Sequence, residues 1–402
     1  MARILFLTER FPPDIGGLAA SSARISKCIA ALGHTVDVLA WSRHVPAGKL
    51  VEQKLDDCPE KFTLFRHGLY RQWDMSMPTT LNVFDWLHSL HNYDLVWGHY
   101  LAPAGFLAVW FAQLNSIKSI VSARGNDVDT AVFPPGDLAR LTWTLERANV
   151  VSSVSEDLAK KIRVISARPD IEVITNSVDS EIFSSSKNEN QQLKATLGIK
   201  PDELVLGFAG ELREKKGIQF LLDAFREVRA QRPCCLLVIG DVRSHQKPSV
   251  QLFSAEFPED AARMIITGHI EDPTLVADHL RLCDVYLQPS LMEGMPNSLL
   301  EAMACSRLCI TSDAGGIPEL IEHEKNGFML PRAMLNNLGT AILEACDLDA
   351  TFKQSLCAAA RATVESRFSL QRERAQLDDL LKRVLNNSEY DSQSSFELKS
   401  KV

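Results

Sequence analysis

The sequence predicts an α/β protein built of two doubly wound units, each a parallel sheet wrapped in helices. Short apolar runs alternate with helical periodicity along the chain, as parallel strands joined by crossover helices require. The two halves also open alike, each with a strand, a polar loop ending in glycine and an amphipathic helix. Between them lies a polar stretch rich in Ser, Asn, Gln and Lys, residues 184–203.

In the first half, residues 3–7, 35–39, 95–97, 117–122 and 150–153 read as strands. Residues 204–208, 234–239, 264–267, 285–288 and 308–311 read as strands of the second. The loop TERFPPDIGG follows the first strand and leads to a helix at 19–32; AGELREKKG does the same before a helix at 218–228. Such openings place ligands at the carboxyl ends of strands. Neither carries G-x-G-x-x-G, which argues against a nicotinamide dinucleotide. The expected domains are 1–183, a linker at 184–203, 204–369, a last helix at 370–385 that crosses back to the first domain, and a disordered tail at 386–402.

Composition narrows the partners. The 402 residues carry a net charge of -8 without a long basic run, so a nucleic-acid partner is not expected. The nine cysteines form no CxxC pair, which fits reduced thiols in the cytoplasm. MARILFL is too short an apolar run for a signal peptide, and the longest apolar stretch, 101–114, holds a proline and is too short to span a bilayer. A peripheral contact with the inner face of a membrane stays compatible with this.

Residues 290–304 read SLMEGMPNSLLEAMA. Glu293 and Glu301 stand in an otherwise apolar stretch, where carboxylates persist only if something pairs with them or uses them. The strand at 285–288 puts 289–296 in the loop leaving its carboxyl end. Asn297 or Ser298 then caps a helix through Leu299, Leu300, Ala302 and Met303. This places Glu293 in the loop, where the competing reading is a solvated acid. It places Glu301 in the first helical turn, where the dipole suits a carboxylate even without a ligand. Gly294 allows close backbone approach, and a helix start offers N–H groups to an anion. With two acceptors for hydroxyls, the combination suits a polyol phosphate such as a nucleotide sugar.

The segment E-GMPNSLL-E resembles the E-x7-E motif of the retaining GT-B glycosyltransferases of family 4. Further motifs follow in that family's order: FPPDIGG, GHTVDVLA, WGHYLAPAG, ARGND, SSVSEDLA and ITNSVD, then FAGELREKKG, GHIED, CDVYLQPS, SDAGGIPELI and NGFML. The resemblance implies a GT-B fold, two Rossmann-like doubly wound domains facing a central cleft. It implies a retaining transfer of a hexose-type sugar from a nucleoside-diphosphate donor, held mainly by the second domain. The acceptor, a hydroxyl of a glycan, lipid or small molecule, is held by the first. Glu293 is then expected on hydroxyls of the transferred sugar and Glu301 on the ribose, with Gly294, Met295, Pro296 and Asn297 supplying close backbone.

Gly16 and Gly17, which alone read equally as a tight turn, are expected to bring backbone N–H groups to the donor. His99, at the end of a strand, is expected near the transferred sugar, and Asn126 and Asp127 near the donor from the next strand end. Ile270 matches a position where backbone contacts the base. One departure concerns Gly210-Glu211-Leu212-Arg213-Glu214-Lys215-Lys216-Gly217, where the family writes G-R-x4-K-G: Glu211 replaces the arginine. If the strand stays extended there, Arg213 shares the face of residue 211 and takes over the phosphate. Lys216 keeps the family's lysine, and Lys215 alternates away into solvent. A second departure, Ser306-Arg307-Leu308 for Gly-x-Pro, is expected only to reshape a turn. Asp127-Val-Asp129 spells D-x-D but lies in the first domain and reads as coincidence, so no metal cofactor is expected. The rival functions are a nucleotide-sugar epimerase of the same fold and, because of Glu211, an inactive nucleotide-sugar-binding subunit.

Overall fold

The computed structural model describes residues 1–55, 58–185 and 190–386. The chain forms two compact units, residues 1–175 with the chain from Glu373 onward, and Asn176–Arg372.

The first unit holds strands β1 (Arg3–Thr8), β2 (Thr35–Ser42), β3 (Leu50–Gln53), β4 (Phe62–Gly68), β5 (Leu95–His99), β6 (Lys118–Ala123), β7 (Val150–Ser153) and β8 (Ile171–Val173). They form one sheet in the order β3-β4-β2-β1-β5-β6-β7-β8, parallel except for the β3–β4 pair. The inner strands are buried on both faces, which is why they read as continuous apolar runs. From β1 the chain winds outward through β2 and β4, then returns to β5 on the other side. Strand order therefore reverses between β1 and β5, the kind of position at whose carboxyl ends doubly wound sheets accept ligands.

The second unit holds β9 (Leu204–Ala209), β10 (Cys234–Ile239), β11 (Met264–Ile266), β12 (Val285–Gln288), β13 (Leu308–Ser312) and β14 (Phe328–Leu330). Their order is β11-β10-β9-β12-β13-β14, all parallel, so the reversal lies between β9 and β12. The loops carrying Lys216 and Glu293 leave these two strands. That is the reason two segments far apart in sequence can build one site.

The last helix, Leu370–Asn386, spaces Leu377, Leu380, Leu381 and Val384 along one face. These four pack into the first unit's core with Ile4, Phe6 and Ile25. Arg24 meets Glu373 at 2.8 Å beside them. The residues beyond Asn386, where a disordered tail was expected, lie outside the described residues.

The division between units falls ahead of the polar stretch at 184–203, because residues 176–184 are tied to the second unit. Asn176 Nδ2 donates to the Met295 carbonyl at 2.8 Å, and Arg281 donates to the carbonyls of Ile182 and Ser184, each at 2.7 Å. Four strands were not expected: β3, β4, β8 and β14. In β4, FTLFRHG, buried Arg66 and His67 interrupt the apolar signal. Arg66 is tolerated there because its guanidinium donates to the carbonyls of Phe11 and Pro12. The others are short edge strands.

Candidate functional site

The loop after β9 begins extended and tightens into a single turn at Glu214–Lys216 before the helix Ile218–Arg229. Gly217 joins them at φ 73°, and a Cβ there would run into the Pro289 carbonyl at the end of β12. Glycine is required on both counts. This close approach brings Lys216 over the β12 loop. Gly315, at φ 54° in the loop after β13, plays the matching part from the other side, since a Cβ would strike the Glu293 carbonyl. Gly316 N donates to the Gly294 carbonyl at 2.9 Å. The Glu293 loop is thus clamped on two sides by glycine-bearing loops.

Glu293 is buried at 7% exposure. Its Oε1 accepts from Lys216 Nζ at 2.5 Å, Ser290 Oγ at 2.7 Å and Gln288 Nε2 at 2.9 Å. Behind them Tyr286 OH and Ser298 Oγ donate to Gln288 Oε1, at 2.7 and 3.3 Å. Burial pushes the Glu293 carboxyl up, but the charges of Lys216 and Lys215 and the bonds from Lys216 and Ser290 outweigh it, and the group sits below its usual value. Glu293 is therefore a preorganised carboxylate. Its Oε2 has no partner among the described residues and keeps its capacity to accept a hydrogen bond.

The helix Asn297–Ala304 begins after Pro296, which stands at the cap position, so neither Asn297 nor Ser298 caps it. Ser298 is turned back to Gln288 instead. Asn297 Oδ1 is buried without a hydrogen-bond partner among the described residues. Glu301 consequently lies in the second turn, not the first, and is half-buried. Met295 and Pro296 are buried and Gly294 half-buried, with the Met295 carbonyl held by Asn176.

Arg213 is extended at φ -161° and ψ 163°, and its Nη1 lies 3.7 Å from Glu211 Oε2, so the two do share a face. The alternation stops there. The turn at Glu214–Lys216 leaves Lys215 half-buried, its carbonyl accepting from Leu291 N at 2.8 Å, and it does not project into solvent as expected. Ile270 is half-buried in the loop after β11, following Gly268 at φ 73°.

In the first unit Gly16, at φ 125°, precedes the helix Gly17–Ala31, and both glycines are exposed. His99 ends β5, fully buried, with Nε2 2.9 Å from Ser21 Oγ of that helix. Burial first, then Arg124 and Arg24, keep the imidazole neutral well below its usual value. Its Nδ1 has no partner among the described residues. Asp127 is buried and accepts backbone N–H groups of Leu101 and Arg124, each at 3.0 Å, and of Gly125 at 2.7 Å. It pins the loops after β5 and β6 together, with Asn126 starting the short turn Asn126–Asp129 beside it. Burial still pushes its carboxyl up to about 6. Asp129 pairs with Lys161 at 2.8 Å. Both carboxylates of D-x-D are therefore engaged by the protein itself.

Glu9, at the end of β1, was not singled out from the sequence. Its Oε1 is buried without a partner among the described residues, and its carboxyl is pushed up to about 8 by burial and by Asp127, against Arg10. The folded value lies above the free value of 4.5, so the folded state holds the proton more tightly. Stability then falls as pH rises from about 4.5 to about 8 and is level beyond. Glu9→Gln is expected to be more stable than wild type at high pH, by about 1–3 kcal/mol, less than the full shift because the side chain is only partly covered. The gain vanishes near the lower end of that range. Thermal melts of both proteins across pH check this; a pH-independent difference contradicts it.

Gln288, Ser290, Asn176 and Gly315 were likewise not singled out as site residues. Their signal was present as polar residues and a double glycine at strand ends in CDVYLQPS, ITNSVD and SDAGGIPELI.

Comparison with known proteins identifies the family. Residues 203–347 match the family described as glycosyl transferases group 1, and residues 16–177 match the glycosyl transferase 4-like domain. The chain is 25% identical over 329 residues to N-acetyl-alpha-D-glucosaminyl L-malate synthase of Bacillus anthracis, covering 79% of this chain and 81% of that protein. It is 24% identical over 384 residues to D-inositol 3-phosphate glycosyltransferase of Jonesia denitrificans, covering 87% of each. In fold it matches sucrose-phosphate synthase of Thermosynechococcus elongatus, with a TM-score of 0.80 at 19% identity over 95% of this chain and 99% of that one. It also matches Anabaena HepE solved with UDP, with a TM-score of 0.76 at 20% identity over 94% and 99% of the two chains. The clamped Glu293 loop, the E-x7-E spacing and the two parallel-sheet units have one common account: the chain belongs to the group 1 glycosyltransferases of GT-B fold, enzymes that move a sugar from a nucleotide donor.

Proposed function

We propose that this enzyme transfers a hexose from a uridine diphosphate sugar to a hydroxyl of a glycan, lipid or small-molecule acceptor, with retention and without a metal. The observation that carries the reading is Glu293, a buried carboxylate fixed by Lys216 and left with one open oxygen at the reversal point of the second sheet. Uridine and hexose are suggested by HepE, which has been solved with UDP-glucose and with UDP and glucose. Glu293 Oε2 accepts from sugar hydroxyls, and Glu301 on the next helix accepts from the ribose. Lys216 and Arg213 meet the diphosphate as its charge grows. The bond from the sugar's anomeric carbon to the phosphate oxygen breaks. A bond to the acceptor oxygen forms on the same face, and the acceptor's proton passes to the departing phosphate. The protein contributes positioning and charge.

Metal independence rests on charge and engagement: cationic side chains stand ready for the phosphates, and Asp127 and Asp129 are already committed to backbone N–H groups and to Lys161. A lipid-linked acceptor reached from a peripheral position at the inner face of a membrane remains within this reading. Its support is the set of exposed side chains Trp86, Leu90, Trp110 and Leu114 on the helices Trp73–His91 and Phe106–Asn115. Among the described residues no helix is long and apolar enough to cross a membrane.

One experiment tests donor, stereochemistry and metal together. Acceptors are screened with UDP-glucose, and the new anomeric proton is read by NMR, with and without EDTA. The expected result is a product of the donor's own anomeric configuration, formed at the same rate in chelator. An inverted product, or complete loss of transfer restored by Mn²⁺ or Mg²⁺, contradicts the proposal.

A further inference from the structure

The family's phosphate arginine is absent at 211, yet the structure builds a charged cluster around that position. Leu212 pairs with Val242 as a parallel bridge, with Leu212 N donating to the Asp241 carbonyl at 2.9 Å and Arg243 N to the Leu212 carbonyl at 3.2 Å. Leu212 is fully buried in the second unit's core, so its neighbours Glu211 and Arg213 project the other way. The same zipper sets Arg243 beside them. Glu211 Oε2 lies 3.7 Å from Arg213 Nη1 and 3.8 Å from Arg243 Nη1. The ends of β9 and β10 are held close by Gly240 at φ 147°, where a Cβ would strike the Gly210 carbonyl.

Two guanidiniums about one carboxylate leave a single net positive charge, which is what one arginine at 211 would bring. Beyond the ion pair, the Arg243 side chain makes no hydrogen bond among the described residues, so its forked donors remain for an anion. It is 39% exposed, and a change there leaves the core intact.

We propose that Arg243 is a second binding group for the donor diphosphate, and that Glu211 is the positioning residue that holds Arg243 and Arg213 as one cluster in place of the family's single arginine. The proposal rests on reading the second unit as the nucleotide-sugar site. It turns Glu211 from a lost function into a rebuilt one.

UDP titrations by calorimetry at several salt concentrations test it, using wild type, Arg243→Ala, Arg243→Lys, Glu211→Ala, the Glu211→Ala/Arg243→Ala double variant, and Glu301→Ala as a control. Arg243→Ala is expected to weaken UDP about tenfold, the scale of one charged hydrogen bond, and to flatten the salt dependence. Arg243→Lys recovers part of that loss. In a Glu211→Ala background the Arg243→Ala loss shrinks, because the arginine is no longer held in place. Arg243→Ala binding UDP like wild type while Glu301→Ala is weakened overturns the proposal and leaves the site reading standing. An Arg243→Ala loss of equal size in both backgrounds overturns the positioning role of Glu211. A wild-type protein that binds no nucleoside diphosphate overturns the site reading and the proposal with it.

Discussion

Lys216→Ala is expected to lower turnover by about 10²-fold or more, the scale of losing one charge-stabilising donor. Two losses combine. The departing diphosphate gains charge, and without Lys216 one cation that meets it is gone. The Glu293 carboxylate also loses its 2.5 Å partner and keeps its burial, so its pKa rises. The second effect destabilises the fold as well, which a melting curve detects. Lys216→Ala combined with Glu293→Gln separates the two: removing the stranded charge recovers stability, whereas turnover stays low. Arg213→Ala is expected to cost a similar factor in turnover with little change in stability, since Arg213 meets Glu211 at only 3.7 Å. Lys215→Ala is expected to cost about tenfold or less, because its charge helps hold Glu293 from a distance while its backbone carries the loop contact. Three mild phenotypes would mean that this charge run is only a solvated helix approach.

The carboxylates should separate nucleotide from sugar. Glu301→Ala is expected to weaken UDP itself by about 1–3 kcal/mol, the value of charged hydrogen bonds to the ribose. Glu293→Gln keeps the size and most of the network but loses the anionic acceptor at Oε2. It is expected to bind UDP as wild type does and to bind or turn over the intact UDP-sugar poorly. Calorimetry with UDP and with UDP-glucose on both variants checks the split. If both bind both ligands like wild type, the pair is structural.

Both Rossmann-like sheets were legible in the sequence because their inner strands are buried on both faces and so read as uninterrupted apolar runs. β4 escaped because Arg66 and His67 sit in its buried half, and whether a guanidinium can be buried depends on carbonyls that tertiary structure supplies. The candidate residues could be named from the sequence where a motif carried them, Glu293, Lys216 and Arg213 above all. Their mutual geometry was not. That Lys216 would pair with Glu293 follows from strand order, which brings β9 beside β12, and no local pattern encodes that. The same holds for Glu9, whose raised carboxyl comes from burial at a strand end and from Asp127 across the sheet. The helix cap failed for a local reason: Pro296 takes the cap position before Asn297, and Ser298 donates to Gln288 instead.

The central claim is that the Lys216–Glu293 pair binds and activates a nucleotide sugar. Its most direct test is release of nucleoside diphosphate from a panel of nucleotide sugars in the presence of acceptor hydroxyl compounds, with each donor also screened for thermal stabilisation, on wild type and Lys216→Ala. The account predicts that at least one donor raises the melting temperature of wild type and is consumed with release of its nucleoside diphosphate, and that Lys216→Ala releases it about 10²-fold more slowly or not at all. Equal rates from wild type and Lys216→Ala, or a wild-type protein that no nucleotide sugar stabilises, would contradict it.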